Sequence, residues 1–556
     1  MRALKTMSLA LSLLAAANAS SQADTTPVSR RAVLEAEKLN GLNFSDDKID
    51  MMLPGLKDQA DTFEALRKFP LSNSVPPAIL FNPIPVGMKF DCERKKFKLS
   101  RPAKVKLPAN LDDLAFFSIG DLAQLIKTRQ ITSERLTLFY LDRLKKYGPK
   151  LECVVTLTEE LALRQAKRAD EEIAHGIYRG PLHGIPYGAK DLLAVRGLPT
   201  TWGSAPYTNQ VFDADATVIK RLADAGAVLV AKTTLGELAM DEVWFGGKTR
   251  NPWNLKQGSS GSSAGSSAAT AAGLIPFGIG SETYGSIVSP CDRCGATGLR
   301  PTYGRVSRIG AMALSWSMDK VGPICRTVED CAIVFNAIYG PDGVDQTLYD
   351  LPFNYDPKTN LKKLRIGYLK GDFEKERGER KEHDEATLEK MRGLGAELIP
   401  IELPNYRLAN ISFVLSTEAA AAFDELTRSG RDDLMKQQNA GSWPNAFRES
   451  RFVPAVEYIQ AQRIRYLLIQ EMAKVFEKVD LFLAPSLTGS SSLLSNLTGH
   501  PCVVVPNGFS KAGTPTSICF IGKLFGEARL LAVAKTYQDA TDFHRKHPNL
   551  DAMGKN

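Results

Sequence analysis

The stretch Gly258-Ser-Ser-Gly-Ser262-Ser263-Ala-Gly-Ser-Ser-Ala-Ala-Thr-Ala-Ala-Gly273 opens with small polar residues and continues as an alanine-rich helical run. Composition alone would also suit a flexible linker. The next residues indicate otherwise, because 275–279 have the pattern of a buried strand that leads into Gly280-Ser-Glu-Thr-Tyr-Gly-Ser286. Small residues let a backbone approach a ligand, and free N–H groups near a helix start can hold an oxyanion. The region therefore suits acyl transfer without identifying the nucleophile.

The common hydrolase motifs are missing from the sequence. Ser286 is not in a Gly-x-Ser-x-Gly elbow, because Tyr284 and Val288 occupy the outer positions. The chain has no His-Glu-x-x-His zinc helix, and none of its six histidines lies in a motif that marks a general base. A hydrolase built on this sequence therefore needs a base other than histidine. We expect no metal and no organic cofactor.

Three colinear segments resemble the signatures of the amidase signature family. They are Gly184-Ile-Pro-Tyr-Gly-Ala-Lys190-Asp191, Gly261-Ser262-Ser263-Ala264-Gly265 and Glu282-Thr-Tyr-Gly-Ser286-Ile287. From about residue 118 the resemblance continues through Thr249-Arg-Asn-Pro-Trp253, Gly298-Leu-Arg-Pro-Thr-Tyr-Gly-Arg305 and Ser495-Asn-Leu-Thr-Gly-His-Pro501. It implies an α/β fold with a mixed, twisted central sheet of about eleven strands flanked by helices.

The resemblance also implies a Ser-Ser-Lys catalytic set in place of Ser-His-Asp. Ser286 is then the nucleophile, Ser262 in a cis peptide is the relay, and Lys190 is the base. The chemistry is consistent, because a hydroxyl is a poor nucleophile until a base removes its proton. A lysine can be that base when burial lowers its pKa toward neutrality.

The residues around the nucleophile receive supporting roles. The resemblance implies that backbone N–H groups of the Ser286 loop form the oxyanion hole, and these belong to Thr283, Tyr284, Gly285 and Ser286 itself. We interpret Asp191 and Glu282 as groups that hold donors in place rather than as direct acids or bases.

Three positions depart from the usual family pattern. Ala264 replaces a common glycine, which crowds the turn after Ser262. Tyr284 replaces a residue that is usually Gly or Asp, and its side chain is long enough to narrow or line the acyl pocket. Val288 replaces a frequent arginine, in the Glu-Thr-x-Gly-Ser-Ile-Val form of an amidase subgroup. These changes leave the substrate class open.

We therefore predict an amidohydrolase that converts a small-molecule or peptide amide into an acid and an amine or ammonia. One alternative is the glutamine-hydrolysing subunit of a tRNA-dependent amidotransferase, which belongs to the same family. A second alternative is a binding protein that keeps the fold after its catalytic site has decayed. Reaction of Ser286 with a fluorophosphonate would separate the enzymes from the binding protein.

The N-terminus predicts export. Arg2 and Lys5 precede an apolar run from Met7 to Ala17, and Ala17-Asn18-Ala19 has the small-x-small form of a cleavage site. We predict a signal peptide at 1–19 and a periplasmic or secreted mature protein. The run is shorter than the roughly 20 residues that span a bilayer. No later segment is continuously apolar for that length, so we expect no stable membrane span.

The rest of the chain is predicted to form an N-terminal extension at 20–115 that packs on the main domain, an amidase signature domain at 116–545 and a C-terminal tail at 546–556. Ser118-Ile-Gly-Asp121 has the form of a capping box where the main domain begins. Helical and strand patterns then alternate, which favours a sheet covered on both faces by helices. They predict helices at 157–174, 216–225 and 377–394, and strands at 227–231, 275–279, 364–369, 479–485 and 502–505.

Composition suits a large globular protein and gives little support for nucleic-acid binding. The net charge of +8 comes from 70 basic and 62 acidic residues, and no long like-charge tail is present. The densest basic stretch, 94–106, lies among prolines with Phe97 as its one aromatic residue, so we interpret it as a solvated linker and predict no nucleic-acid partner. The eight cysteines are too sparse for a disulfide scaffold. Their spacing gives no pairing, and the sequence does not indicate an oligomeric state.

Overall fold

A computed structural model describes residues 28–68, 71–100 and 104–551. The predicted signal peptide at 1–19 and residues 552–556 of the predicted C-terminal tail lie outside the described residues. The chain forms two compact units, which divide between Ser72 and Asn73. The domain boundaries predicted at residues 19, 115 and 545 stay predictions.

The first unit contains two helices, α1 at Arg30–Asn40 and α2 at Asp46–Leu66. Ser29 caps the first helix, because its hydroxyl accepts a hydrogen bond from the N–H of Ala32. The two helices contact each other, and Ile49 of the second is fully buried.

A large mixed sheet forms the centre of the second unit. Its strands are β1 Val154–Leu157, β2 Pro186–Lys190, β3 Val228–Thr233, β8 Phe277–Glu282, β9 Thr297–Arg300, β10 Lys320–Cys325, β11 Ile366–Leu369, β12 Leu398–Ile401, β13 Leu481–Pro485, β14 Cys502–Phe509 and β15 Pro515–Gly522. In the described part of the chain these eleven strands have the spatial order β1-β3-β2-β8-β10-β9-β14-β15-β13-β11-β12. Two small ribbons pair β4 Val243–Trp244 with β5 Gly247–Lys248 and β6 Arg250–Asn251 with β7 Asn254–Gly258.

Strand direction in the large sheet is mixed. Strand β2 lies parallel to β3 and to β8, and β11 lies parallel to β12 and β13. The remaining neighbours are antiparallel. The predicted fold class, a mixed α/β sheet of about eleven strands, is confirmed.

Helices cover both faces of the sheet, and each face has its own apolar core. Along β8, for example, Phe277 and Ile279 point into one of these cores, as alternation along a strand requires. The α-helices of the second unit are α3 Ile119–Lys127, α4 Ser133–Leu151, α5 Glu159–Ala174, α6 Thr217–Asp224, α7 Ala264–Ala271, α8 Val288–Cys294, α9 Val328–Ile338, α10 Lys370–Lys375, α11 Gly378–Gly393, α12 Phe413–Ala422, α13 Asp424–Arg428, α14 Trp443–Ser450, α15 Ala455–Lys478, α16 Ser491–Leu497 and α17 Glu527–Asp539.

The predicted elements occur within a few residues of their expected bounds. The capping box is present, with Ser118 and Asp121 bonded reciprocally at the start of α3. The predicted strand at 275–279 is shifted to Phe277–Glu282. Residues 280–282 extend the strand because they pair with β10. They are not apolar, so the sequence pattern did not indicate that they belong to a strand.

The segment 73–110 crosses the second unit without helix or strand in its described part. Hydrogen bonds hold it at intervals, for example from the Lys98 N–H to the Tyr355 carbonyl at 3.0 Å and from the Ser100 N–H to Glu329 at 2.9 Å. Its many prolines suit this extended path, because each lacks an N–H and has a fixed φ.

All eight cysteines are free thiols, seven of them buried and Cys92 exposed. Within residues 28–68, 71–100 and 104–551, no helix is both long and apolar enough to cross a membrane.

Candidate active site

Glycines in β8 allow α7 to approach the sheet closely. A Cβ added to Gly278 would lie 2.8 Å from the Cβ of Ser266, and one added to Gly280 would lie 2.8 Å from the Oγ of Ser263. Such distances are shorter than real Cβ contacts, so larger residues would push the helix away. The small residues therefore bring the turn before α7, which carries Ser262, against the end of β8.

Lys190 is the last residue of β2, and its side chain is fully buried among hydroxyl groups. Its Nζ lies 2.8 Å from the Oγ of Ser262, 3.0 Å from that of Ser263 and 2.9 Å from that of Ser281. The Gly261–Ser262 peptide bond is cis. The structure thus places two of the predicted site residues, Lys190 and Ser262, in direct contact.

The electrostatic environment of Lys190 favours its neutral form. Burial lowers the pKa of Lys190 to about 7, and the negative charges of Asp319 and Glu282 oppose this shift. No carboxylate within the described chain forms an ion pair with Lys190. A lysine in this state presents a lone pair near neutral pH and can accept a proton.

Ser286 is half-buried at the end of the loop that follows β8. Its backbone carbonyl accepts a hydrogen bond of 3.1 Å from the N–H of Ser263, which fixes the loop beside the serine turn. Among the described residues its hydroxyl has no hydrogen-bond partner, and none connects it to Ser262. Ser286 is therefore held beside the turn that carries Ser262 by its backbone, and its hydroxyl is available to a substrate.

Glu282 lies at the start of this loop, and its carboxylate binds backbone N–H groups at the end of the loop. Its carboxylate accepts the N–H groups of Ile287 at 2.8 Å and Val288 at 3.0 Å, directly after Ser286. Arg300 and Asn496 each donate to the other oxygen, at 2.7 Å and 2.8 Å. These two residues belong to the segments 298–305 and 495–501, which resemble family motifs, so both motifs meet at the loop.

The same contacts keep Glu282 charged. Burial by itself raises the pKa of the carboxyl, but the charge and hydrogen bond of Arg300, with Asn496 and the backbone, lower it to about 2. Glu282 is thus a permanent anion that holds N–H donors in place, the part that the sequence suggested for it.

The backbone N–H groups of Thr283, Tyr284, Gly285 and Ser286 have no acceptor among the described residues. Gly285 has φ +82°, a left-handed conformation that favours glycine, so the loop can turn its N–H groups to one side. The Thr283 hydroxyl donates to Asp319 at 2.6 Å, which anchors the loop on its other flank. The geometry suits an oxyanion hole.

Asp191 forms an ion pair with Lys232. Its carboxylate lies 2.6 Å from the Nζ of Lys232, and both side chains are fully buried. It also accepts the N–H of Thr201 at 2.9 Å. Asp191 therefore holds the strand ends β2 and β3 together and makes no contact with the Lys190 amine.

The side chain of Tyr284 is about half exposed and lines a cavity of about 610 Å³. Ala264 is the first residue of α7 and is fully buried.

Sequence reasoning missed Ser263, Ser281 and Asp319. The first two complete the hydroxyl cage around Lys190, and Asp319 anchors Thr283. Ser263 and Ser281 did stand in the quoted motifs, but a hydroxyl among other small residues carries no signal of its partner. Asp319 stands outside those motifs and is brought to the loop by the pairing of β10 with β8.

Comparison with known proteins places the chain in a family. A family model described as Amidase matches residues 135–491, well over half of the chain. The chain belongs to the amidase family. One of the subunits of glutamyl-tRNA(Gln) amidotransferase from Coxiella burnetii is 35% identical, over 78% of this chain and 99% of its own.

Solved amidases share the fold. Native peptide amidase from Stenotrophomonas maltophilia is 30% identical, with a TM-score of 0.69 over 78% of this chain and 99% of its own. An amidase family protein from Bacillus anthracis is 27% identical, with a TM-score of 0.71 over 79% of this chain and 93% of its own. The chain is thus an amide-hydrolysing enzyme of the amidase signature family, as the sequence predicted. Its assignment to the Glu-Thr-x-Gly-Ser-Ile-Val subgroup stays a prediction.

Proposed function

We propose that this amidase cleaves a carboxylic amide through an acyl-enzyme on Ser286, with Ser262 as relay and Lys190 as base. The observation that carries the proposal is the buried contact of 2.8 Å between Lys190 Nζ and Ser262 Oγ. Because burial lowers the pKa of Lys190 to about 7, its amine can take a proton at neutral pH.

The protons and bonds balance along this route. Ser286 Oγ attacks the amide carbon while its proton passes to Ser262, which gives its own proton to Lys190. The carbon–nitrogen bond then breaks, and the proton returns through Ser262 to the departing amine. Water attacks the resulting ester with the same proton transfers, which releases the carboxylic acid and restores Ser286.

The N–H groups of Thr283, Tyr284, Gly285 and Ser286 support this chemistry as an oxyanion hole. Each donor aimed at the developing oxyanion is worth about 10²–10³ in rate. The bonds from Glu282 to the N–H groups of Ile287 and Val288 hold the loop in the shape that presents them.

The test is hydrolysis of aryl anilides and C-terminal peptide amides by the mature protein and its variants. Ser286→Ala and Lys190→Ala are expected to lose activity by several orders of magnitude. Ser416→Ala is a matched control, because it removes a half-buried hydroxyl that donates to the Phe413 carbonyl within α12. It should retain activity to within about tenfold.

Covalent labelling gives a readout that does not depend on the amide. A fluorophosphonate should modify wild-type Ser286 and leave Ser286→Ala unlabelled. Unchanged turnover in Ser286→Ala would contradict the assigned nucleophile. A wild-type protein that neither labels nor hydrolyses any amide would favour the decayed binding protein instead.

The similarity to an amidotransferase component supports a second candidate, release of ammonia from glutamine for a tRNA-bound substrate. Ammonia production from glutamine by the purified chain, with and without the other components of an amidotransferase, tests it. Partner-dependent ammonia release with no turnover of other amides would favour this candidate over the first.

We also propose that residues 1–19 are a signal peptide and that the mature enzyme is exported. The charged start, the apolar run and Ala17-Asn18-Ala19 support this assignment. Mass spectrometry of the protein from a periplasmic fraction should find Ser20 at the N-terminus. An intact Met1 in the cytoplasm would contradict export and strengthen the amidotransferase alternative.

A further inference from the structure

An apolar cavity of about 460 Å³ lies beside the Ser286 loop. Ser281 and Thr283 form the end of the cavity next to the proposed catalytic groups. Apolar residues such as Leu192, Met312 and Leu314 form much of the remaining wall. The volume is in the range of pockets that bury small organic ligands.

One wall of this cavity comes from residues 73–81, which we name the strap. The strap belongs to the extended segment and lies outside residues 135–491, the part that the family model matches. Pro76, Pro77, Ile79 and Leu80 of the strap line the cavity. A wall of the pocket is therefore specific to this chain's extension rather than to the family region.

Both ends of the strap are fixed to the cavity's other walls. The Asn73 amide donates to the Ala313 carbonyl at 2.8 Å and accepts the Ala313 N–H at 2.7 Å. At the other end, the Phe81 ring contacts Tyr303 edge-on at 5.0 Å, and the Arg465 guanidinium lies 3.7 Å from its centroid. Two prolines stiffen the backbone between these anchors.

The charged side chains that reach the cavity already have protein partners. The Arg308 guanidinium donates to the Trp316 carbonyl at 2.5 Å and to Thr347 at 3.0 Å. Asp319 accepts the Thr283 hydroxyl and two backbone N–H groups, and Lys320 donates to the Met318 carbonyl. A charged group of a substrate would lose its hydration here without gaining a free partner.

The cavity on the other flank of the loop has a larger polar share in its wall. It is lined by Tyr284 and by the charged residues Asp372, Lys375, Glu402 and Arg407. Ammonia or an aliphatic amine is cationic at neutral pH once released, so this second cavity suits such a leaving group. The acyl group, which stays bonded to the enzyme until water attacks, suits the apolar side.

We infer that the strap completes an acyl pocket that selects amides with an extended apolar acyl group. This inference rests on the proposed acyl-enzyme mechanism and adds the substrate class to it. It excludes glutamine as a favoured substrate, because the charged α-amino and α-carboxyl groups would enter the apolar cavity.

The first test uses alkyl fluorophosphonates, in which the alkyl group on phosphorus stands for the acyl chain and no amine is present. The rate constant for labelling Ser286 in the mature protein should rise from the butyl to the octyl compound by about 10²-fold, at about two- to fourfold per methylene. The p-nitroanilides of butanoic and octanoic acid should show the same order in kcat/KM.

Variants of the strap test whether this segment causes the preference for the octyl group over the butyl group. Leu80→Asp should reduce the octyl advantage by about tenfold or more, because a long alkyl group would then desolvate a carboxylate in the cavity wall. Asn73→Ala, which removes both bonds to Ala313, should reduce the advantage without introducing a charge. Ile177→Asp is the control, because Ile177 is similarly exposed and does not line the cavity.

The outcomes separate the two proposals. Labelling that is fast but independent of alkyl length overturns the acyl pocket and leaves the mechanism intact. An octyl preference that survives both strap variants overturns the role of the strap. Labelling of wild type no faster than that of Ser286→Ala overturns the mechanism together with the pocket.

Discussion

Lys190 and Lys232 stand on neighbouring parallel strands, both fully buried, and differ in what surrounds their amines. Lys190 contacts three serine hydroxyls and has no ion-pair partner among the described residues, whereas Lys232 lies 2.6 Å from the Asp191 carboxylate. Burial lowers the pKa of both lysines, and at Lys232 the adjacent carboxylate opposes the shift. Equal burial thus accompanies an amine surrounded by hydroxyl groups in one place and an ion pair in the other, because the nearest partner differs.

The largest expected effect is the loss of activity when the base is removed. Lys190→Met should lower kcat/KM by about 10⁴-fold or more, because neither Ser262 nor Ser286 can then lose its proton to a nearby amine. The measurement is steady-state hydrolysis of the best amide of the panel. Activity within tenfold of wild type would contradict the assignment of Lys190 as the base.

The second effect is the loss of stability when the ion pair is broken. Lys232→Met should lower the free energy of unfolding by about 3–5 kcal/mol, because Asp191 is left buried and uncompensated. Urea unfolding at pH 7 measures it. The double variant Lys232→Met/Asp191→Asn should recover part of the loss, and a double variant as unstable as the single one would contradict the explanation.

A third effect is the dependence of stability on pH that Lys190 causes. The pKa of Lys190 is lowered in the folded state, so between about pH 7 and pH 10 the unfolded chain binds more protons at this position. Its contribution to stability is therefore complete above the unfolded pKa and is lost as pH falls through about 7. The wild type should gain about 1 kcal/mol per pH unit over this range relative to Lys190→Met.

Urea unfolding of both proteins at several pH values measures this difference. Parallel stability curves for the two proteins would contradict a neutral Lys190 in the folded state.

The smallest effect concerns the acid limb of the activity profile. The kcat/KM should rise with pH through about 7 and then level off, because the neutral amine of Lys190 is the active form. Asp319→Asn removes a negative charge that raises this pKa, so the limb should move to lower pH by less than about one unit. A move to higher pH would contradict the assigned base.

The sequence predicted the kind of fold and proposed a set of site residues, but it did not predict the partners of those residues. Motifs in colinear order pointed to Lys190, Ser262 and Ser286, and local patterns located strands to within a few residues. Lys190 meets Ser281 because β2 pairs with β8, and Asp319 reaches Thr283 because β10 pairs with β8 on its other side. Such long-range pairing leaves no periodic trace along the chain.

The ion-pair partner of Asp191 was also not predictable from the sequence. The Lys190-Asp191 pair reads as two adjacent charges, yet successive side chains of an extended backbone point to opposite faces. Asp191 therefore turns to Lys232, a residue 41 positions later, and the partner becomes visible only when β2 and β3 are aligned.

The eight free thiols differ in exposure, so their reaction with a thiol reagent can be used to measure unfolding. A maleimide should modify the exposed Cys92 of the folded protein at once, while the seven buried thiols react only after the structure opens. In a short pulse of reagent, the number of labels beyond the one on Cys92 then reports the fraction of chains that are open, without any engineered probe. The stability comparisons between the two lysines can be made with that count as well as with urea.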